Sequence, residues 1–216
     1  MSTQDIFDEH HVPAEPLLRR LVSRALEDEA FRADLSLCAF EPYPGPADEV
    51  DCTDPWLFIV AMDGTGNAYG LYLHPRAVKD GVAPWVYWDH EDDALVALGD
   101  NTDMFVRGFL RAAARGMRDT RPLERARAVL KELGAELAGP TVDFDRSATS
   151  DVDWLPVPAK ALEPLAAYRD KLATEPKLAE RGLLGWLLYH RSREARGLLA
   201  KHYSELGWSP LVALDD

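Results

Sequence analysis

The chain has 216 residues, with 24 Lys plus Arg against 37 Asp plus Glu and a formal charge of −13, enough for one large domain or two small ones. A hydrophobic share of 47% and a charged share of 28% belong to a globular protein with a buried core, and they exclude collagen-like, disordered and membrane-spanning chains. Cys38 and Cys52 lack CxxC spacing, so structural thiols in a reducing compartment are expected rather than a disulfide framework or a zinc finger. The N-terminus, MSTQDIFDEHH, has neither a basic n-region with an apolar h-region nor an MGxxx[ST] string, which makes the cytoplasm the expected location.

From Pro16 to Phe31, Leu17, Leu18, Leu21, Val22, Ala25 and Leu26 recur at helical spacing opposite Arg19, Arg20, Arg24 and Asp28, which predicts one amphipathic helix. EPYPGPADEVDCTDP is too rich in Pro, Gly and Asp for a helix or a central strand and is expected to be a loop. WLFIVAM at 56–62 and AYGLYL at 68–73 flank DGTGN. They predict a β-hairpin whose turn uses Gly64 and Gly66 for positive φ and Asp63 and Asn67 for backbone hydrogen bonds. PWVYWD at 84–89, suited to a half-buried pleated surface, and ALVALG at 94–99 predict a third and a fourth strand. HEDD joins them, so carboxylates are expected to crowd one end of the sheet.

After Gly99 the period becomes 3.6. Asn101 or Thr102 caps a helix carrying Phe105, Val106, Phe109, Leu110 and Ala113 to about Arg115, and Pro122 opens another with Leu123, Ala126, Leu130, Leu133 and Leu137. TVDFDRSATSDVDWLPVP reads as a linker or long surface connection. Helix is expected again near Ala159, with Leu162, Leu165, Ala166 and Leu172 on one stripe, and a further helix over about 176–206, interrupted at Gly182, Gly185 or Gly197.

Charge is unevenly divided. Residues 1–110 hold 7 basic and 21 acidic side chains, a balance of −14, whereas residues 111–216 hold 17 and 16. The densest run is Asp89, Glu91, Asp92 and Asp93, followed by Asp100 and Asp103; its field would repel nucleic-acid phosphates and attract a basic protein surface. The plainer account of such a run is a solvated, solubilising face.

Taken together, FIVAMDGTGNAYGLYL, VYWDHEDD and ALVALGDNTDMFVRGFL resemble the SMI1/KNR4, or SUKH, superfamily. In that family an apolar strand, a Gly-rich turn, a second strand, an aromatic strand ending in His and a Phe-bearing helix follow in this order. The resemblance covers about residues 56–115. The family's N-terminal LPxx[YF] signature is represented only as VPAEPLL, and residues 120–216 lie outside the pattern. The resemblance implies an α+β fold, a twisted antiparallel sheet over about 56–99 flanked by helices, with a core at 1–120; the helical periodicity of the rest adds a helical C-terminal extension at 121–216. The resemblance further implies a non-catalytic immunity protein that neutralises a basic, nuclease-type toxin, or alternatively a regulatory scaffold. On this reading Asp89, Glu91, Asp92, Asp93, Asp100 and Asp103 supply charge to the partner, and Trp85, Trp88 and Tyr69, where exposed, supply anchors. Core packing is the competing role for each aromatic.

Other chemistries find little support. GTGNAYG lies between strands and does not open a helix, and the chain has no GxxxxGK[ST], GxSxG or HExxH string, so no cofactor and no direct nucleic-acid binding are expected. A metal-dependent hydrolase would draw on His90 with Glu91, Asp92 and Asp93, or on Asp8, Glu9, His10 and His11. Neither spacing fits a ligand pattern, and a capped turn or a salt bridge accounts better for His90. Arg107, Arg111, Arg115 and Arg118 form a basic stripe that could take a phosphate or an acidic partner, or could instead oppose the helix dipole and pair with carboxylates.

Overall fold

Five extended segments pair in sequence order into an open antiparallel sheet: β1 (Glu41–Pro46), β2 (Leu57–Met62), β3 (Ala68–Tyr72), β4 (Trp85–Asp89) and β5 (Ala94–Gly99). Among the described residues, eight helices accompany them: α1 (Thr3–Glu9), α2 (Pro16–Glu27), α3 (Glu29–Leu37), α4 (Thr102–Gly116), α5 (Arg121–Glu132), α6 (Leu165–Thr174), α7 (Pro176–His190) and α8 (Arg193–Leu206). The computed structural model describes residues 3–47, 52–141, 152–156 and 165–214. The fold is α+β, and the helices dominate its C-terminal half.

The predicted β2–β3 hairpin, β4, β5 and α4 are all present. The expected loop at 41–55 instead supplies a fifth strand, β1, whose Pro42, Pro44 and Pro46 lack the N–H that a central strand must donate. An edge strand tolerates them because one side of it needs no partner. The single helix expected over 16–31 is divided at Asp28, which closes α2 in an extended conformation and caps α3 by accepting from the Ala30 and Phe31 N–H groups at 3.0 and 3.1 Å. The break expected at a glycine between 176 and 206 falls at Arg191 and Ser192. Arg191 is left-handed (φ 46°), and the Ser192 hydroxyl accepts from the Ala195 N–H. Gly182 is required for helix packing instead, because a Cβ there would lie 2.4 Å from the Tyr168 ring; the glycine lets α6 cross α7 closely. The helix expected near Ala159 is present as α6 with Leu165, Ala166 and Leu172; its expected start at 159–164, and most of the linker at 141–158, lie outside the described residues.

Alternation along the strands feeds two cores. Phe58, Tyr69, Leu71, Trp85, Tyr87 and Leu98 face a cluster completed by Leu18, Leu21, Leu35, Phe105, Phe109 and Leu130 of α2, α3, α4 and α5. Leu57, Ile59, Tyr72, Val86 and Trp88 face the other way, into a cluster with Tyr168, Leu183, Leu187, Leu199 and Tyr203 of α6, α7 and α8. The surface of β4 is therefore buried on both faces, not half-buried as its sequence suggests, and β2, β3 and β4 read as nearly continuous buried runs. Helix α5 packs on α3 and contributes Leu123, Ala126 and Leu130 to the first core.

Gly70 marks the tightest point of the sheet. It sits beside the register shift between Ile59 and Ala61, and a Cβ there would meet the Phe58 carbonyl oxygen at 2.5 Å. Gly70→Ala is therefore expected to destabilise the protein by about 2–3 kcal/mol in urea unfolding. Gly197→Ala, with nothing within 4 Å of the new methyl in α8, should be neutral or stabilise by up to about 1 kcal/mol.

Candidate functional site

Strand pairing puts two turns side by side at one end of the sheet. Met62 pairs with Ala68, Ala68 with Trp88, and Asp89 with Ala94, so the β2–β3 turn (63–67) and the β4–β5 turn (90–93) are neighbours. Glu41, which opens β1, pairs with Met62 at the same end. Gly64 and Gly66 take φ of 82° and 102° in the first turn, as its sequence requires.

Asp63 is the keystone of that turn. Its carboxylate accepts from the Thr65 N–H at 2.8 Å, the Thr65 hydroxyl at 2.7 Å, the Asn67 amide at 3.2 Å and the buried Tyr87 hydroxyl at 2.8 Å. Burial works against the charged form, but the donors from Thr65, Tyr87 and Asn67 outweigh it and hold the carboxyl below its ordinary 3.8. Asn67 then locks the two turns together. Its Oδ1 accepts from the His90 N–H at 3.0 Å and lies 2.7 Å from His90 Nδ1, while the His90 ring packs where a Gly66 Cβ would be. His90 is thus part of a capped turn.

The carboxylates named from the sequence divide into three roles. Glu91 and Asp92 are exposed at the turn. Asp89 and Asp93 shape it: Asp89 accepts from the Glu91 and Asp92 N–H groups, and Asp93, left-handed at φ 46°, turns inward to accept from Trp88 Nε1 at 2.7 Å and the Thr53 hydroxyl at 2.9 Å. Burial raises the Asp93 pKa, opposed by those two donors and by Arg191. Asp100 and Asp103 do not join this rim. They follow Gly99 at the other end of β5, roughly 17 Å along the strand. Asp103 accepts from the Glu136 N–H at 2.7 Å, while Asp100 is exposed.

The three named aromatics are core residues. Tyr69 and Trp85 are fully buried and Trp88 nearly so; Trp85 stacks on Phe105 with centroids 3.7 Å apart and planes 5° apart. An anchoring role requires their exposure, and the helices on both faces remove it. The exposed aromatic on the neighbouring edge strand is Tyr43, 42% accessible; its place among prolines in a loop-like segment conceals it in the sequence. The basic stripe is largely structural. Arg107 donates to the Pro140 and Glu136 carbonyl oxygens and Arg111 to the Thr141 hydroxyl, so together they fasten the segment after α5.

A second polar constellation, invisible in the sequence, lies under α7 and α8. The Arg76 N–H donates to His74 Nδ1 at 3.1 Å, which leaves the ring hydrogen on Nε2 facing Glu180 at 2.6 Å; the other Glu180 oxygen pairs with the Arg76 guanidinium. This trio ties α7 to the chain after β3. Glu180 is spaced 104 residues from Arg76 and lies between Ala179 and Arg181 in α7, so no local pattern announces the pairing. Among the described residues, no group of three or more His, Cys, Asp or Glu is placed to hold a metal ion. No described helix is long and apolar enough to cross a membrane.

Compared with family models, with curated proteins and with solved structures, the chain finds no match in any of the three.

Because the folded Asp63 carboxyl binds its proton less tightly than the unfolded one, its contribution to stability is complete above about pH 3.8 and is lost as pH falls through the lower folded value. Asp63→Asn should lower stability at neutral pH by about 1–3 kcal/mol in urea titrations. The gap between variant and parent should narrow as the medium is acidified below that value.

Proposed function

We propose that this chain is a non-catalytic protein-binding module, an immunity protein that acts in the cytoplasm and neutralises a basic, nuclease-type toxin through the acidic rim at the hairpin-tip end of its sheet. The observation that carries this reading is the coverage of both sheet faces, which leaves ends and edges for contact. At the hairpin-tip end Glu41, Glu91 and Asp92 point into solvent, on turns fixed by Asp63, Asn67 and Asp89. Carboxylates held on a rigid frame need no reordering on docking, and they complement the basic cleft a nuclease must present to phosphates. The excess of acid in residues 1–110 and the SMI1/KNR4-like order of hairpin, aromatic strand and Phe-bearing helix support the same reading.

The test begins with purification of the tagged chain, which should recover a basic partner, and continues with stopped-flow association between the two. Nuclease activity of that partner should be blocked at one-to-one stoichiometry. Glu91→Lys with Asp92→Lys should slow association on the order of tenfold or more and flatten its salt dependence. Asp100→Lys, at the opposite end of the sheet, should leave the rate within about a factor of two of the parent, allowing only for the small change in net charge. An association rate indifferent to salt and to the double substitution would contradict the proposal.

A further inference from the structure

The buried side-chain atoms that lack a hydrogen-bond partner are concentrated in one place. Among the described residues they are Asp54 Oδ2, Trp56 Nε1, the Tyr72 and Tyr203 hydroxyls and His202 Nε2, all in the layer between the second sheet face and α7–α8. The first face has buried polar groups too, but they are satisfied: Asp63 by four donors, Thr102 by Glu15, and Asp34 by Arg125. Unpaired buried polar atoms weaken the contact in which they sit, so the two helical layers are held unequally.

Asp54 is the critical member. It is fully buried; among the described residues it makes no ion pair, and its Oδ1 accepts from the Trp56 N–H at 2.8 Å while Oδ2 has no hydrogen-bond partner. Among the described residues, the charged and titratable neighbours supply no cation to compensate an ionised carboxylate. From β3 the Tyr72 hydroxyl faces it; from the β4–β5 turn comes Asp93, from α8 Tyr203, and from its own segment Cys52. Glu180 of α7 lies beyond the two tyrosines and is already occupied by Arg76 and His74, with His202 of α8 at 3.9 Å; Arg191, after α7, acts on Asp93 and Cys52. A carboxylate in such surroundings is disfavoured, whereas a neutral carboxyl can remain.

We infer that the α7–α8 layer is a proton-controlled cover: with Asp54 protonated the two helices seat on the second face of the sheet, and loss of that proton loosens them and uncovers Trp56, Tyr72 and Trp88 while α2–α5 stay in place. The inference does not depend on how the acidic rim is used. Burial raises the Asp54 pKa from 3.8 to about 7, opposed by the Trp56 N–H and the Tyr72 hydroxyl and reinforced by the negative charge of Asp93. The folded state therefore holds this proton more tightly than the open one. Its stabilising effect is complete below about pH 3.8 and is lost as pH rises to about 7, after which it stays lost.

Native-state hydrogen exchange of the full chain, expressed as protection factors to remove the intrinsic pH dependence, reads this directly. Between about pH 5.5 and about pH 8.5 the opening constants of α7 and α8 amides should rise roughly 30-fold relative to those of α2–α5. Asp54→Asn, which removes the ionisation but keeps the shape, should abolish that difference with His74 and His202 left in place. Should the variant fail to fold, carboxyl carbon NMR of the parent protein, selectively labelled at aspartate, decides the matter: the Asp54 resonance should titrate near neutrality. Equal pH profiles in both layers, a profile that survives Asp54→Asn, or an Asp54 resonance that titrates near 4 would overturn the inference.

Discussion

Burial of both faces of one antiparallel sheet is the constraint on which everything else depends. An antiparallel sheet can leave one face to water, and the strand sequences permit that arrangement here. Instead Trp85 and Tyr87 point into the α2–α5 layer while Val86 and Trp88 point into the layer completed by α7 and α8. Large side chains on successive residues of β4 are thereby all consumed by packing. What the sheet offers to another molecule is reduced to its rims, and the rim that carries the two tight turns presents Glu41, Glu91 and Asp92 outward.

The two layers differ in kind. On the first face, aromatic packing around Phe40, Tyr69, Trp85, Phe105 and Phe109 is accompanied by polar groups whose bonds are closed. On the second, ring contacts such as Trp56 with Tyr203 at 5.1 Å coexist with open hydroxyls, an unpaired carboxyl oxygen and one strong clamp, the His74–Glu180–Arg76 trio. Such a division gives the protein a firm half that fixes the geometry of the turns and a half whose attachment rests on a few polar groups.

Much of the frame is legible in the residues. The hairpin at 57–72 declares itself through Gly64 and Gly66, whose positive φ the turn needs, and α4 through Asn101 and its 3.6-residue stripe. The rest depends on information that a local pattern does not carry. Proline marks β1 as non-strand until its edge position removes the objection. Asp28 looks like one more polar residue on a helix face until its carboxylate is seen capping the next helix. Asp93 and Asp103 look equivalent to Asp92 and Asp100, yet Trp88 and Thr53 draw the first inward and the Glu136 N–H occupies the second. Sequence proximity likewise merges two groups of acids that β5 carries to opposite ends of the sheet. Glu180, more than a hundred residues from Arg76, has no local signal at all.

The most direct measurement on the docking account is a hydrogen-exchange footprint of the complex against the free chain. Slowed exchange confined to the 63–67 and 90–93 turns and the start of β1, with both helical layers unchanged, is the expected result. Protection centred on α7–α8, or on the Asp100 end of β5, would contradict it.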